Sequence, residues 1–357
     1  MLNALTIDVE DYFQVHAFSN VIRYEDWGNF ESRVERNTDR ILGILDDCRP
    51  AACALPLGPD ASPLTPCALC HAPQRATFFV LGWIAERYPG LIREIRNRGH
   101  EVACHGYAHR LIYNQSREEF RDDVKKAKAI LEDIIGNGVI GYRAPSYSIT
   151  NRSLWALEIL KEEGFLYDSS IFPIRHDVYG LSTAPRFPFT IAFNGNGKVD
   201  FSAPSRPASY ALRPEPYALR LSPSALRLSP SALIEFPLST LRFGGMNFPI
   251  SGGGYFRLFP YEAVRRGLRR INEREGHPFI FYLHPWEFDP GQPRIRGVGV
   301  KSRFRHYLNL DKTEMRLKKM LRQFSFAPIH NILGRYCATP LPNSPLTPCA
   351  SRLAPAE

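Results

Sequence analysis

Two hydrophobic patterns alternate along this chain. Short runs are almost wholly apolar: "LNALTIDV" (2–9), "ATFFVLG" (76–82) and "FIFYLH" (279–284). They are too short for buried helices and match strands covered on both faces. "EVAC" (101–104), "VIGYRA" (139–144), "FLYDSS" (165–170) and "LIEFP" (233–237) read the same way. Between them, apolar residues return every three or four positions. Phe120, Val124, Ala127, Leu131 and Ile134 do so after a Ser116/Glu119 capping box and before Gly136. "PGLIREIRNRG" (89–99) opens on proline and stops at glycine. Helices are also expected over 150–164, from about Pro260 to Asn272, and up to Phe324, the last capped by Asp311 and Glu314. Alternating strands and helices predict an α/β fold with a parallel sheet, either a barrel or a doubly wound sheet. In both, chemistry gathers at the C-terminal ends of the strands.

Three segments break the pattern. Residues 50–73, 203–232 and 338–357 hold 17 of the 30 prolines. "SPLTPCA" occurs at 62–68 and again at 344–350, and the middle segment repeats "YALRPEP", "YALRLSP", "SALRLSP". A proline in every period rules out a heptad coil. These are read as low-complexity insertions and a tail. The rest forms one domain, 1–335, whose last part (about 291–335) is a helical extension. Cys67, Cys70 and His71 match a haem-attachment pattern, and Cys53 could join them in a zinc site. The proline/alanine tract and irregular spacing argue against both.

The formal charge of +9 is partly carried by the arginines of the middle insertion. No basic run is interleaved with aromatics, so nucleic acid is not an expected partner. No apolar run reaches the roughly 18 residues of a membrane span. The start "MLNALTIDVEDYF" resembles a first strand more than a secretion signal, which predicts a cytoplasmic location.

The polar residues at the strand ends are chemically coherent. His105 and His109 would share one side of a helical turn if that segment is helical, and neutral imidazoles suit zinc and similar ions. Histidines at this spacing are also common as surface residues. Asp8 and Glu10 point to one side of an extended strand, so one can bind a metal while the other handles protons. The ordinary alternative is a solvated strand end. Two histidines and a carboxylate leave positions open for water and substrate. Arg143 can pair with Asp8, structurally or to orient it. His284 can be a satisfied core histidine or a proton donor near neutral pH.

"TIDVED", "RATFFVLGWIAERYP", "GHEVACHGYAH", "GYRAPSYS", "YDSSIFP" and "FYLHPWE" together resemble the NodB-homology polysaccharide deacetylases over about residues 3–290. "DVEDYFQV", "FPIRHD", "SGGGYFRLFPY" and "SRFRHYLNLDKTE" look closer to a branch found with bacterial exopolysaccharide and exosortase loci. The resemblance implies a deformed (β/α) barrel and metal-dependent removal of N-acetyl groups from an N-acetylated polysaccharide. By position it implies Asp8 as base, His105 and His109 as metal ligands, Arg143 as orienter of the base and His284 as acid. One divalent ion is expected, zinc in the first place, with cobalt or another divalent ion as alternatives. The chain departs from the family at Val9, where many members carry a ligating aspartate. The third ligand is therefore assigned to Glu10, with Asp11 as second choice. Ser146 and Tyr147 stand where a backbone N–H helps hold the oxyanion. Asp168 lies in the motif that shapes the substrate wall, and Trp286 offers a sugar-stacking face. A small cyclic amide or ureide, as in allantoinases, and a catalytically impaired sugar-binding homologue are the competing readings.

Overall fold

The computed structural model describes residues 1–48, 74–176, 178–194, 198–202 and 232–337. The insertion 50–73, all but the last residue of 203–232 and the tail 338–357 lie outside the described residues, as do Cys53, Cys67, Cys70 and His71.

The first strand, β1 (Leu2–Val9), is central. It pairs in parallel with β2 (Thr77–Val80) on one side and β11 (Ile280–Leu283) on the other. From β2 the sheet runs in parallel through β3 (Glu101–Cys104), β4 (Gly141–Tyr142) and β5 (Tyr167–Asp168) to β8 (Ala232–Glu235). β6 (Phe189–Asn194) and β7 (Lys198–Ser202) then extend the sheet in antiparallel sense. The mixed sheet with covering helices is consistent with the expected deformed barrel. No ladder joins β11 to β7 among the described residues.

β1 shows why the sheet has two different faces. Leu5, Ile7 and Val9 pack outward into the main core beneath the helices. Burying each such side chain contributes about 1.5–3 kcal/mol. Ala4 packs to the other side with Phe79, Ala103, Tyr167 and Ile280. Thr6 and Asp8 follow Ala4 in the two-residue alternation, so they enter the sheet's inner face where Arg143 lies.

The expected helices form with trimmed ends. They are α3 (Pro89–Asn97), α4 (Arg117–Ile135), α5 (Trp155–Glu162), α7 (Tyr261–Glu273) and α9 (Leu310–Gln323). The Ser116/Glu119 capping box is present. Asp311 does not cap α9: the N-cap is Asn309 in a left-handed conformation, and Glu314 pairs with Arg40 and Lys318. Strands 139–144 and 165–170 shrink to two residues each, Gly141–Tyr142 and Tyr167–Asp168.

Three further helices were not foreseen, α1 (Val34–Asp47), α2 (Gly82–Arg87) and α6 (Gly253–Leu258), whereas α8 (Val300–Tyr307) falls within the expected helical extension. The hairpin of β9 (Thr240–Phe243) and β10 (Met246–Pro249) is also additional. The C-terminal extension is built into the domain. β12 (Ser325–Ala327) pairs with the start of β1, and α10 (Ile329–Cys337) follows it.

Candidate active site

Asp8, near the end of β1, is 2% exposed. Arg143 Nη1 donates to Asp8 Oδ1 at 2.7 Å and to Thr6 Oγ1 at 2.7 Å. Arg143 is itself fully buried, and its other nitrogens donate to the carbonyl and hydroxyl of Ser169. Its guanidinium lies 4.1 Å from the centre of the Phe79 ring. A buried charge held this tightly cannot relocate, so Asp8 is fixed in one orientation. The second oxygen of Asp8 accepts from the Tyr147 hydroxyl at 3.3 Å and lies 3.9 Å from His284 Nε2.

Glu10 enters the same cleft, as the alternation predicts. Its Oε2 lies 2.9 Å from His109 Nε2, and its Oε1 lies 3.4 Å from His284 Nε2. Glu10, His105 and His109 place one ligand atom each within 4.8 Å of one another. His105 Nδ1 faces the Arg143 carbonyl at 2.8 Å. A carbonyl can only accept, so Nδ1 carries the proton and Nε2 presents its lone pair. This donor set, one carboxylate and two imidazoles with a fixed tautomer, fits a divalent metal ion. Asp11, the second choice, is not part of it. Its Oδ2 accepts from Ser32 Oγ, Arg33 N and Val34 N at 2.9, 2.6 and 3.0 Å, capping α1, and its Oδ1 accepts from Tyr12 N.

The two histidines do not meet on a helix. Residues 105–109 form a loop, with Gly106 at φ +74° and His109 at φ +51°. Asp123, on α4, holds this loop by accepting from Tyr107 N at 2.7 Å and Ala108 N at 3.3 Å. A Cβ on Gly106 would lie 2.9 Å from that carboxylate, so only glycine fits both the conformation and the space. Sequence reasoning missed Asp123. It lies sixteen residues beyond Tyr107, on the polar side of an ordinary amphipathic helix.

His284 follows β11. Its Nδ1 lies 2.7 Å from Glu287 Oε1, and Glu287 Oε2 accepts from Arg257 Nε at 2.7 Å. Burial would depress the imidazole, but Glu287 and then Glu10 outweigh it and raise His284 to about 9. It is therefore a protonated donor at neutral pH. Burial lowers His105 to about 4 against the pull of Asp8, keeping it a neutral ligand. Burial pushes Glu10 up, but His109 and the other two histidines together bring it down to about 2. Glu287 stands three residues after His284 in "HPWE"; that spacing was the available signal.

Two expectations for the substrate wall are corrected. Asp168 is fully buried and does not line the cleft. It accepts from Ser170 Oγ and shares a site with buried Glu235, which accepts from Ile171 N at 2.9 Å. Burial and then Asp168 push the Glu235 carboxyl well above the usual range, because two carboxylates so close cannot both ionise. Trp286 borders the cleft, but it is only 6% exposed and its ring is stacked against both His284 and His306, with centroids 5.1 and 4.1 Å away, so little of it is open to a sugar. Its indole N–H instead donates to Glu10 Oε1 at 3.2 Å.

The cleft has a volume of about 420 Å³. Ser146 and Tyr147 line it, both in left-handed conformations at φ +51° and +53°. Tyr179, Tyr282 and Arg305 complete its rim. Tyr282 could have been foreseen, since it precedes His284 by two residues on the same strand face.

Residues 67–165 match the family model for polysaccharide deacetylases, and residues 207–334 match that of a domain of unknown function, DUF3473. Over residues 67–165, then, the chain is similar to the polysaccharide deacetylases. A peptidoglycan-N-acetylglucosamine deacetylase of Bacillus cereus is 34% identical over 85 residues, 24% of this chain and 31% of the relative. A chitooligosaccharide deacetylase of Azorhizobium caulinodans is 29% identical over 134 residues, 36% of this chain and 55% of the relative. The chain spans about a third of the length of the first curated relatives it matches. Among solved structures, a Mycobacterium smegmatis protein assigned by name to the polysaccharide deacetylases aligns with a TM-score of 0.49 at 19% identity, covering 98% of this chain and 94% of that one.

Proposed function

We propose that this chain is a metal-dependent hydrolase that removes N-acetyl groups from an N-acetylated polysaccharide and releases acetate. The observation that carries the reading is the placement of Asp8 between Arg143 and His284, one side of a three-ligand cluster of Glu10, His105 and His109. The named activities of the relatives support the substrate class. The exopolysaccharide assignment rests on the sequence resemblance of "DVEDYFQV" and its companion motifs.

Glu10, His105 and His109 would hold a divalent ion, zinc, cobalt or another, which when bound would supply carbonyl polarisation and a more acidic water. Asp8, oriented by Arg143 and Tyr147, takes a proton from the attacking water. The oxygen of that water forms a bond to the acetyl carbon. The left-handed turn at Ser146 brings backbone to the cleft wall, where an N–H can meet the developing oxyanion. His284, held through Nδ1 by Glu287, gives its Nε2 proton to the nitrogen as the C–N bond breaks. Acetate and a free amino sugar leave.

The test measures metal content and acetate release from N-acetylglucosamine oligomers in the same samples. Asp8→Asn should retain the metal and lose activity by a factor of at least about a thousand, while His105→Ala should lose both. Near wild-type turnover by Asp8→Asn would refute the assignment of the base.

A further inference from the structure

Beside the candidate active-site cleft lies a second, larger cavity. It has a volume of about 850 Å³, near the upper end of the roughly 300–1,000 Å³ typical of ligand pockets. One wall is made by Pro173–His176 and Ser182–Arg186 and the other by the β9–β10 hairpin. Asn247 Nδ2 donates to the Pro173 carbonyl at 2.8 Å and clips the hairpin to that segment. The two spaces adjoin. His176 lines both, and the hydroxyls of Tyr179, in the cleft, and Tyr255, in the cavity, lie 3.2 Å apart.

The charge in the cavity is one-sided. Arg175, Arg186 and Arg242 line it, and no carboxylate does so among the described residues. Arg186 is already spent on Glu275 and the Thr240 carbonyl. Arg175 and Arg242 are exposed, and neither has an ion-pair partner among the described residues. Beside them Met246 and Phe248 are 64% and 44% exposed, giving apolar surface for the C–H face of a sugar ring. The hairpin lies within residues 207–334, the part matched by the domain of unknown function.

We propose that this cavity is an accessory glycan subsite that binds an anionic group, a carboxylate or phosphate, on the polymer beside the sugar being deacetylated. Arg175 and Arg242 recognise the charge and the hairpin supports the ring. The proposal rests on the deacetylase reading for its substrate and adds a charge requirement to it.

The full chain is assayed with three ligands. They are a neutral N-acetylglucosamine oligomer, an oligomer alternating N-acetylglucosamine with a uronic acid, and a neutral oligomer joined through pyrophosphate to a short alkyl chain. The wild type should prefer at least one acidic ligand, and added salt should weaken that preference. Arg175→Ala/Arg242→Ala should lower the ratio of acidic to neutral kcat/KM by about tenfold, and the Lys/Lys variant should restore part of it. A fall confined to the uronate oligomer identifies an acid within the chain. A fall confined to the pyrophosphate-linked oligomer identifies the linkage. A ratio unaltered by the Ala/Ala change, or a wild type with no acidic preference, overturns the subsite. Calorimetric binding of the same ligands separates the two readings. A charge preference in binding without acetate release keeps the subsite and sinks the deacetylase, and acetate release without any charge preference does the reverse. Because the wild-type preference and its salt dependence need no variant, a folding defect in the arginine variants leaves the test intact.

Discussion

Replacing Asp11 by alanine separates the two neighbouring acids that the sequence left as competing ligands. The Asp11 carboxylate accepts three backbone N–H groups and one hydroxyl. Tyr12 and Val34, which supply two of those N–H groups, are each 1% exposed, so water cannot easily replace the lost acceptor. An unsatisfied buried donor costs about 1–3 kcal/mol, and a lost helix cap about 1 kcal/mol. The contributions overlap at the start of α1, so the expected loss is about 3 kcal/mol, a large part of the about 5–15 kcal/mol of a typical domain. Metal binding should survive at reduced temperature. Glu10→Gln should lose the metal but leave the start of α1 intact, since among the described residues its carboxylate faces His109, His284 and Trp286 and caps no helix. The assay is a urea unfolding midpoint with constant slope, beside metal stoichiometry after zinc loading. Asp11→Ala within about 1 kcal/mol of the wild type, but as metal-free as Glu10→Gln, would refute the capping role and make Asp11 the ligand.

Two further outcomes follow from the same geometry. Asp123→Ala releases the loop between the histidines, and metal affinity measured by chelator competition should fall about 10–100-fold; a change under about twofold would show that the loop holds itself. His330 lies 3.3 Å from the buried Glu101 carboxylate. Burial opposes the charge on each, but the pairing prevails: Glu101 is lowered from 4.5 and His330 raised from 6.5. The Glu101 contribution is therefore full above 4.5 and lost as pH falls through its folded value. The His330 contribution is full below 6.5 and lost as pH rises through its folded value. The stability gap between wild type and His330→Asn should be widest between about pH 4.5 and 6.5, and a gap that grows steadily toward pH 9 would contradict the pairing.

The strand and helix order was legible because buried strands and amphipathic helices impose different hydrophobic periods. The same alternation put Asp8 and Glu10 in one cleft, and the expected Asp8–Arg143 pair formed. Other features depend on contacts that no local pattern records. "YDSS" looks like a strand end facing substrate, yet Asp168 turns inward to share a proton with Glu235, sixty-seven residues on. Trp286 has the right residue type for stacking on a sugar, but its ring is already stacked against His306 of the C-terminal extension.

The sequence alone determined which residues could do this chemistry and that strand ends would carry them, because residue type and period are properties of the chain itself. The tertiary structure decided which of Glu10 and Asp11 joins the histidines, and that a loop held by Asp123 brings those histidines together. It also decided that Glu287, held ionised by Arg257, and Glu10 raise His284. These outcomes turn on distances of about 3 Å between residues far apart in the chain, where hydrogen bonding and desolvation set orientation and charge.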